Sequence, residues 1–305
     1  MVHYLRFPLP YFAGWVFLVA ATGFAQVALV NFAVQMILFA LVVCLPLYLT
    51  GRMAYVDIGW PWGLVGIGVV TLLTGSGHEN RVLAISVIYF IVGGRMGAGA
   101  LVFLFQGLLS IELPRYKYQR LRWEKAGIKH QKLLAQLEVL SQGLANTSFL
   151  ALPAFIIAAN PTPSLSALEI AGFVIWLTGY IIESIADLQK LAFVTKMRKA
   201  GDKKRLCDVG LWKYSRHPNY FGEWVVWTGL IVASIPSWWY LQAVEPTVVW
   251  VILAAGLLYI ARIMYWVLNT YSGAEPSEYY SVKKRPGYVD YQKTTNMFFP
   301  GPRKS

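Results

Sequence analysis

Long apolar stretches recur along nearly the whole chain, and no other feature limits its fold as strongly. They run over Tyr11–Leu29, Phe32–Leu49, Trp60–Leu73, Val82–Gln106, Gly143–Ala159, Ala167–Ala186, Trp224–Tyr240 and Val248–Leu268. A helix needs about 20 mostly apolar residues to cross a hydrocarbon layer about 30 Å thick. With no water in that layer, each crossing segment must satisfy its own N–H and C=O groups, which a helix does. The predicted fold class is all-α, a polytopic integral membrane helix bundle of seven to eight transmembrane helices. The range reflects Trp60–Leu73, which is short, rich in Gly and Trp, and readable as tilted, broken or re-entrant. No repeat, linker or low-complexity tract divides the chain, so residues 1–305 are expected to form a single membrane domain.

Charge then orients the spans. Only 14% of residues are charged, against roughly 25% in soluble domains. The net charge of +12 comes from cations between the apolar stretches. One basic loop, Glu112–Lys132, holds Arg115, Lys117, Arg120, Arg122, Lys125, Lys129 and Lys132. A second, Lys190–Arg216, holds Lys196, Arg198, Lys199, Lys203, Lys204, Arg205 and Lys213, and the tail adds Lys283, Lys284, Arg285 and Lys293. Asn160–Ser166 carries no charge and Gln242–Glu245 no cation. The positive-inside rule puts both basic loops and the C-terminus in the cytosol. With eight spans the N-terminus, with Arg6, is cytosolic too.

Bilayer asymmetry accounts for the cations, so membrane lipids are expected partners, and no nucleic acid. Arg6 is followed by Pro8 and Pro10, and the first apolar run reads as a retained helix rather than a cleaved signal. Arg115–Lys125 has helix-forming composition and is expected to continue the fourth span past the membrane surface. Cys44 and Cys207 read as inert thiols. His3, His78 and His130 show no ligand spacing, so no metal is expected. The pattern Gly93-Gly94-x-x-Gly97-x-Gly99 lacks the strand a dinucleotide loop requires and reads instead as close helix packing.

Chemistry concentrates in Gly210–Glu223, directly before the run Trp224–Tyr240. Pro218 biases His217 away from helical geometry, so a helix should start near Asn219. Free N–H groups and the helix dipole favour an anion there, and Lys213 and Arg216 would reinforce a phosphate. Trp212, Tyr214 and Tyr220 offer flat surfaces for a base or ring. The same residues also read as interfacial anchoring ahead of a proline-started helix. Glu183 and Asp187 lie four apart, on one helix face, where an ionisable pair is functional, a helix-end cap, or structurally paired with Lys190 or Arg198.

The run Trp212-Lys213-Tyr214-Ser215-Arg216-His217-Pro218-Asn219-Tyr220-Phe221-Gly222-Glu223 resembles the signature of the steroid 5-alpha-reductase C-terminal superfamily, and most of all its bacterial branch, long labelled a domain of unknown function. It is distantly similar to isoprenylcysteine carboxyl methyltransferases and to membrane sterol reductases. The resemblance extends through Glu112-x-x-Arg115-Tyr116-x-x-x-Arg120, Glu183-x-x-x-Asp187-x-Gln189 and Arg285-Pro286-Gly287-Tyr288-x-x-Tyr291-Gln292. It covers roughly residues 50–300, most specifically about 175–300. It implies an NADPH-dependent oxidoreductase that transfers hydride to a conjugated C=C of a lipophilic enone, its small-molecule partner. The resemblance puts Glu183, Asp187, Arg205, Asn219 and Tyr280 at the cofactor, and Arg198, Tyr214, Arg216, His217, Tyr220 and Glu223 complete the expected cofactor set.

In the steroid reductases a glutamate and a tyrosine from early helices grip the substrate carbonyl. Here the early carboxylate is Asp57, in Val56-Asp57-Ile58-Gly59-Trp60, which also reads as a cap for the helix at Trp60. Val92 stands where the family tyrosine would be, and Tyr89, one turn away, is the candidate in its place. Arg95 matches a family arginine, with Asp57 its candidate partner. Two other functions remain open on these residues: an S-adenosylmethionine-dependent methyltransferase of the isoprenylcysteine type, and a non-catalytic lipid-binding or scaffold protein.

Overall fold

A computed structural model describes residues 8–202 and 204–304. His3, Arg6 and Lys203 lie outside the described residues. Helices account for the fold and no strand occurs among the described residues. Seven helical stretches are long and apolar enough to cross a membrane, so the chain is a multi-pass membrane protein of the all-α class. Leu, Ile, Val and Phe side chains lie exposed along these helices, as a hydrocarbon surround requires.

The N-terminal part differs from the expected Tyr11–Leu29 span. Within the described residues, helix α1 (Pro8–Ala21) has 14 residues, about 21 Å at 1.5 Å per residue, which is less than a crossing needs. Thr22 ends it: its hydroxyl donates to Leu18 O and accepts from Phe24 N. The Glu245 carboxylate accepts from Gly23 N at 2.7 Å. Helix α2 (Ala25–Thr50) is the first full-length span. It widens to a π turn at Ala40–Cys44, which gives room for Pro46, a residue with no N–H that would clash in a regular turn. The described residues thus hold seven candidate spans, within the expected seven to eight.

The short stretch at Trp60–Leu73 is continuous rather than broken. Helix α3 (Met53–Thr74) starts at Met53, and Pro61 sits within it. Helix α4 (Glu79–Phe105) packs along α3 through glycine, as expected: a Cβ on Gly93 would lie 2.5 Å from Pro61 O, and one on Gly97 2.8 Å from the Trp62 indole. Helix α5 (Pro114–Lys125) does not continue α4. Gly107, at φ +70°, turns the chain, and Pro114 opens a new helix.

Helix α6 (Gln131–Ala158) begins well before the expected Gly143 and is the most buried of the seven spans. An amide network ties it to α2 and α3. Asn31 Nδ2 donates to Asn146 O at 2.9 Å, and Gln35 Nε2 to Gly63 O at 2.8 Å. Asn146 Nδ2 donates to Gln35 Oε1 and Trp60 O, both at 3.2 Å. Helix α7 (Ala167–Lys199) opens on Ser166 and Glu169, each capping the other's backbone N–H. Glu169 also holds Arg81 through Nε at 2.8 Å and Nη2 at 2.9 Å, both side chains being buried.

Helix α7 runs to Lys199 instead of ending near Ala186, so the first ten residues of the expected Lys190–Arg216 loop are helix. Helix α8 (Pro218–Ala243) starts at Pro218, as its sequence predicts. Helix α9 (Thr247–Trp266) continues in a π turn at Val267–Tyr271. The tail then forms α10 (Ala274–Lys284) and α11 (Tyr288–Thr294).

The chain divides into two compact units, Met1–Glu169 with Ala233–Ile260, and Ile170–Val232 with Ala261–Ser305. The first contains the amide network and the Arg81–Glu169 pair. The second contains most of α7, the start of α8 and the C-terminal helices.

Candidate functional site

The second unit is organised by a glycine contact between α7 and α8. Gly172 and Gly179 are seven residues apart, as are Gly222 and Gly229, so each pair shares a helix face. A Cβ on Gly222 would lie 2.6 Å from Glu183 N, and one on Gly229 2.3 Å from Trp176 N. The obstructing atoms are backbone, so only glycine fits and the two helices touch main chain to main chain.

That contact brings the first turn of α8 onto the middle of α7. Asn219 Nδ2 donates to Asp187 Oδ1 at 3.0 Å, joining residues 32 apart. Asn219 Oδ1 is buried without a hydrogen bond. Glu183, one turn before Asp187, is buried, and Glu223 follows Asn219 by one turn on the same face. The unused amide oxygen is an acceptor awaiting a donor, since an unpaired buried polar atom is costly.

Before α8, Glu278 of α10 gathers the Arg-His pair. It accepts from Arg216 Nε at 2.7 Å and Nη2 at 3.2 Å, from His217 Nε2 at 3.0 Å and from Gln292 Nε2 at 2.6 Å. Burial pushes the His217 imidazole below its ordinary pKa, and nearby Lys190 and Arg216 add to this against the pull of Glu278. Arg216 supplies the counter-charge for Glu278, so His217 is neutral and its Nε2–H is the donor. Its ring stacks on Tyr220 at 5.1 Å. The tail straps the segment in place: Arg216 N donates to Asn296 O, Ser215 Oγ to Phe298 O and Gly301 N to Tyr214 O.

Beside this hub is a cavity of about 20 Å³ lined by Lys190, Arg205, Arg216 and Arg285, together with Cys207, Ser281, Tyr288 and Tyr291. Among the described residues no carboxylate lines it. Lys190 follows Asp187 by three residues, and its ammonium sits 3.9 Å above the Trp212 ring. Burial pushes the Cys207 thiol and the Tyr288 and Tyr291 phenols up, so all three stay protonated. The space holds about one water. Arg205 is the exposed member of the set. Its lining offers four cationic side chains and hydroxyl donors, groups that can hydrogen-bond an anion.

Several residues expected at the site stand elsewhere. Arg198 is exposed in the last turn of α7, two turns beyond Lys190, where a cation complements the helix dipole. Tyr214 is exposed and does not line the cavity. Trp212 is buried and donates from Nε1 to Ala186 O, so its ring is a packing surface. From α10 the cavity takes Ser277 and Ser281, whereas Tyr280 packs against Tyr279.

The two substrate-side candidates belong to the first unit and do not converge. Asp57 binds Arg115 Nη2 and the Tyr116 hydroxyl, both at 2.5 Å. Arg120 donates to Glu112, which accepts from Met53 N at 3.0 Å. The Glu112–Arg120 motif thus fastens α5 to the start of α3. Tyr89 is buried and donates to Leu150 O where α6 is interrupted. Gly93 meets Pro61 across the antiparallel α3–α4 pair. Asp57 and Tyr89 lie one turn to either side of that contact, about 11 Å apart along the axes.

Residues 47–295 match the family described as "Protein of unknown function (DUF1295)". The chain belongs to this family. The match begins within α2 and reaches the end of α11, so the DUF1295 region contains the Asn219–Asp187 pair, the Glu278 hub and the cationic cavity. Searches of curated proteins and of solved structures match nothing.

Sequence reading missed Glu278, which stands 62 residues from Arg216 with no local pattern linking them. It placed Lys190 at the start of the basic loop and as a pairing partner for Glu183 and Asp187, because the sixth expected span was ended at Ala186. Gln189, whose place in the Glu183-x-x-x-Asp187-x-Gln189 motif gives no hint of its role, accepts from Leu211 N and fills the space a Cβ on Gly210 would need.

Proposed function

We propose that this chain is an integral-membrane NADPH-dependent reductase that transfers hydride to a conjugated C=C of a lipophilic enone of steroid, sterol or lipid type. The observation that carries this reading is the cationic cavity of Lys190, Arg205, Arg216 and Arg285 next to the Asn219–Asp187 pair. Cations with no lining carboxylate among the described residues suit the phosphates of a dinucleotide. The unused Asn219 oxygen suits a ribose hydroxyl or carboxamide donor. The resemblance to the steroid 5-alpha-reductase superfamily points to the same cofactor.

When bound, NADPH supplies the hydride that reduces the alkene carbon beta to the carbonyl, and a proton from water or an acidic group completes the alpha carbon. The chain's own residues bind and orient: Lys190, Arg205 and Arg285 hold anionic groups, and Asn219, fixed by Asp187, presents its amide oxygen. Asp57 and Tyr89 are engaged with Arg115 and Leu150, so they support helices in this reading rather than a substrate carbonyl. By the positive-inside rule the basic segments at Pro114–Lys125 and around the cavity face the cytosol, where NADPH is available.

The methyltransferase reading fits the cavity less well, because S-adenosylmethionine is a sulfonium cation without phosphates. Titration of the detergent-purified protein tests the choice. NADPH binding with a dissociation constant in the micromolar range, and no binding of S-adenosylmethionine, is the expected result. The reverse pattern would establish the methyltransferase, and binding of neither would leave a scaffold or lipid-binding role.

A further inference from the structure

The Asp187 carboxylate acts on Lys190 through its field, and of the cavity's cations Arg216 is the one that a carboxylate holds among the hydrogen bonds and ion pairs of the described residues. Glu278 holds it at Nε and Nη2, and both side chains are 9% exposed. Its remaining nitrogen, Nη1, donates to the carbonyls of Gln292 and Thr295. Every guanidinium nitrogen of Arg216 is therefore in use. Lys190 instead faces the Trp212 ring, and Arg285 donates to the neutral hydroxyl of Ser281. Arg205 is exposed at the cavity edge.

We propose that Glu278 sets the charge of the cavity: it neutralises Arg216, so that Lys190, Arg205 and Arg285 bind the anion while Arg216 positions the Ser215–Asn219 segment. The proposal rests on the cavity being the phosphate site of the reading above, and it assigns Glu278 a role in affinity that a purely structural residue would not have. A carboxylate just behind the lining weakens anion binding through its field. Its neutral isostere therefore strengthens binding, with Arg216 released as an additional unneutralised cation.

Inorganic pyrophosphate and NADPH are titrated against the full-length protein in detergent at two salt concentrations. Glu278→Gln keeps an acceptor for Arg216 and removes one negative charge. It is expected to bind pyrophosphate about fivefold more tightly at low salt, with a steeper loss of affinity as salt rises. Because this variant leaves a buried guanidinium without its counter-charge and can lose stability, the charge-balanced double variant Arg216→Gln with Glu278→Gln accompanies it. That protein should bind pyrophosphate within about twofold of the wild type, since the net charge behind the lining is unchanged.

Weaker pyrophosphate binding by Glu278→Gln in folded protein overturns the proposal, as does a tenfold loss in the double variant, which would make Arg216 a direct ligand of the anion. Those results leave the reductase reading intact if the wild type binds NADPH. A wild type that binds neither pyrophosphate nor NADPH overturns the cavity assignment and the role of Glu278 together.

Discussion

Asn219 in the first turn of α8 donates its side-chain N–H to Asp187 in the middle of α7, at 3.0 Å. The pair forms because Gly222 lets the α8 backbone rest on the α7 backbone at Glu183, one turn before Asp187. A sequence motif that reads as a loop chemistry is in fact half of an interhelical joint. Its other half is the acidic pair on α7.

The first prediction concerns that joint. Asp187→Ala removes the anchor of the Asn219 amide, and Asn219→Ala removes both the amide and its unused oxygen. Each variant should weaken NADPH binding tenfold or more, on the order of 1.4 kcal/mol for a lost hydrogen-bonded contact. Calorimetry or fluorescence titration of folded protein measures this, and unchanged affinity in both variants would take the pair out of the site.

Gly222→Ala tests the packing that creates the joint. The added Cβ would meet Glu183 N at 2.6 Å, and backbone cannot swing aside as a side chain can. Overpacking of this kind costs roughly 1–3 kcal/mol, so the variant should melt earlier and bind NADPH less tightly. Gly94→Ala is the control, because nothing lies within 4 Å of its Cβ position. It should melt no earlier than the wild type, alanine being the better helix former.

The contrast between Gly222 and Glu278 shows what a single sequence makes legible. Apolar length and the Pro218 start are local signals, and they placed α8, α9 and the all-α membrane class. Gly93 and Gly97 were also read correctly as packing residues, because small residues at helical spacing have one dominant use in a membrane. Helix ends fared worse. Thr22 breaks the first apolar run through its own hydroxyl, and Glu245, more than two hundred residues away, accepts from the next N–H, that of Gly23. Polar Asp187–Lys199 stays helical because α7 extends beyond the apolar layer, which hydropathy cannot register. The same limit hid Lys190 as a cavity residue. Long-range charge pairs such as Arg216–Glu278 and Arg81–Glu169 leave no periodic trace at all.

Asp57 gives a third prediction, separating support from catalysis. Its carboxylate is engaged by Arg115 and Tyr116 of α5. Asp57→Asn should loosen α5, seen as faster tryptic cleavage within the Pro114–Lys132 region, while NADPH affinity stays within about twofold of the wild type. Normal protease resistance together with loss of enone reduction would instead return Asp57 to the chemistry.

The Arg81–Glu169 pair should matter to stability alone. Glu169 accepts Arg81 Nε and Nη2 and caps α7 through Ser166 N. Glu169→Gln strands a buried cation, and breaking such a pair costs about 3–5 kcal/mol. A clearly lower melting temperature is expected, with unchanged NADPH affinity in the protein that remains folded. A melting temperature equal to that of the wild type would mean that the pair contributes nothing net.

The last prediction is a pH dependence whose sign follows from His217. Burial, its largest influence, lowers the imidazole pKa in the folded chain, whereas the unfolded chain titrates near 6.5, approximately the free value. Between the folded value and about 6.5 the unfolded state binds more protons, so stability increases with pH through that window and levels off above it. The contribution is complete above the unfolded pKa and is lost as pH falls toward the folded one. Thermal melts of wild type and His217→Gln from pH 5 to 8 should show a rising melting temperature in the wild type. The rise should be shallower in the variant, which has no imidazole to protonate but keeps an N–H donor for Glu278. Equal slopes in the two proteins would mean that His217 is not buried as a neutral ring.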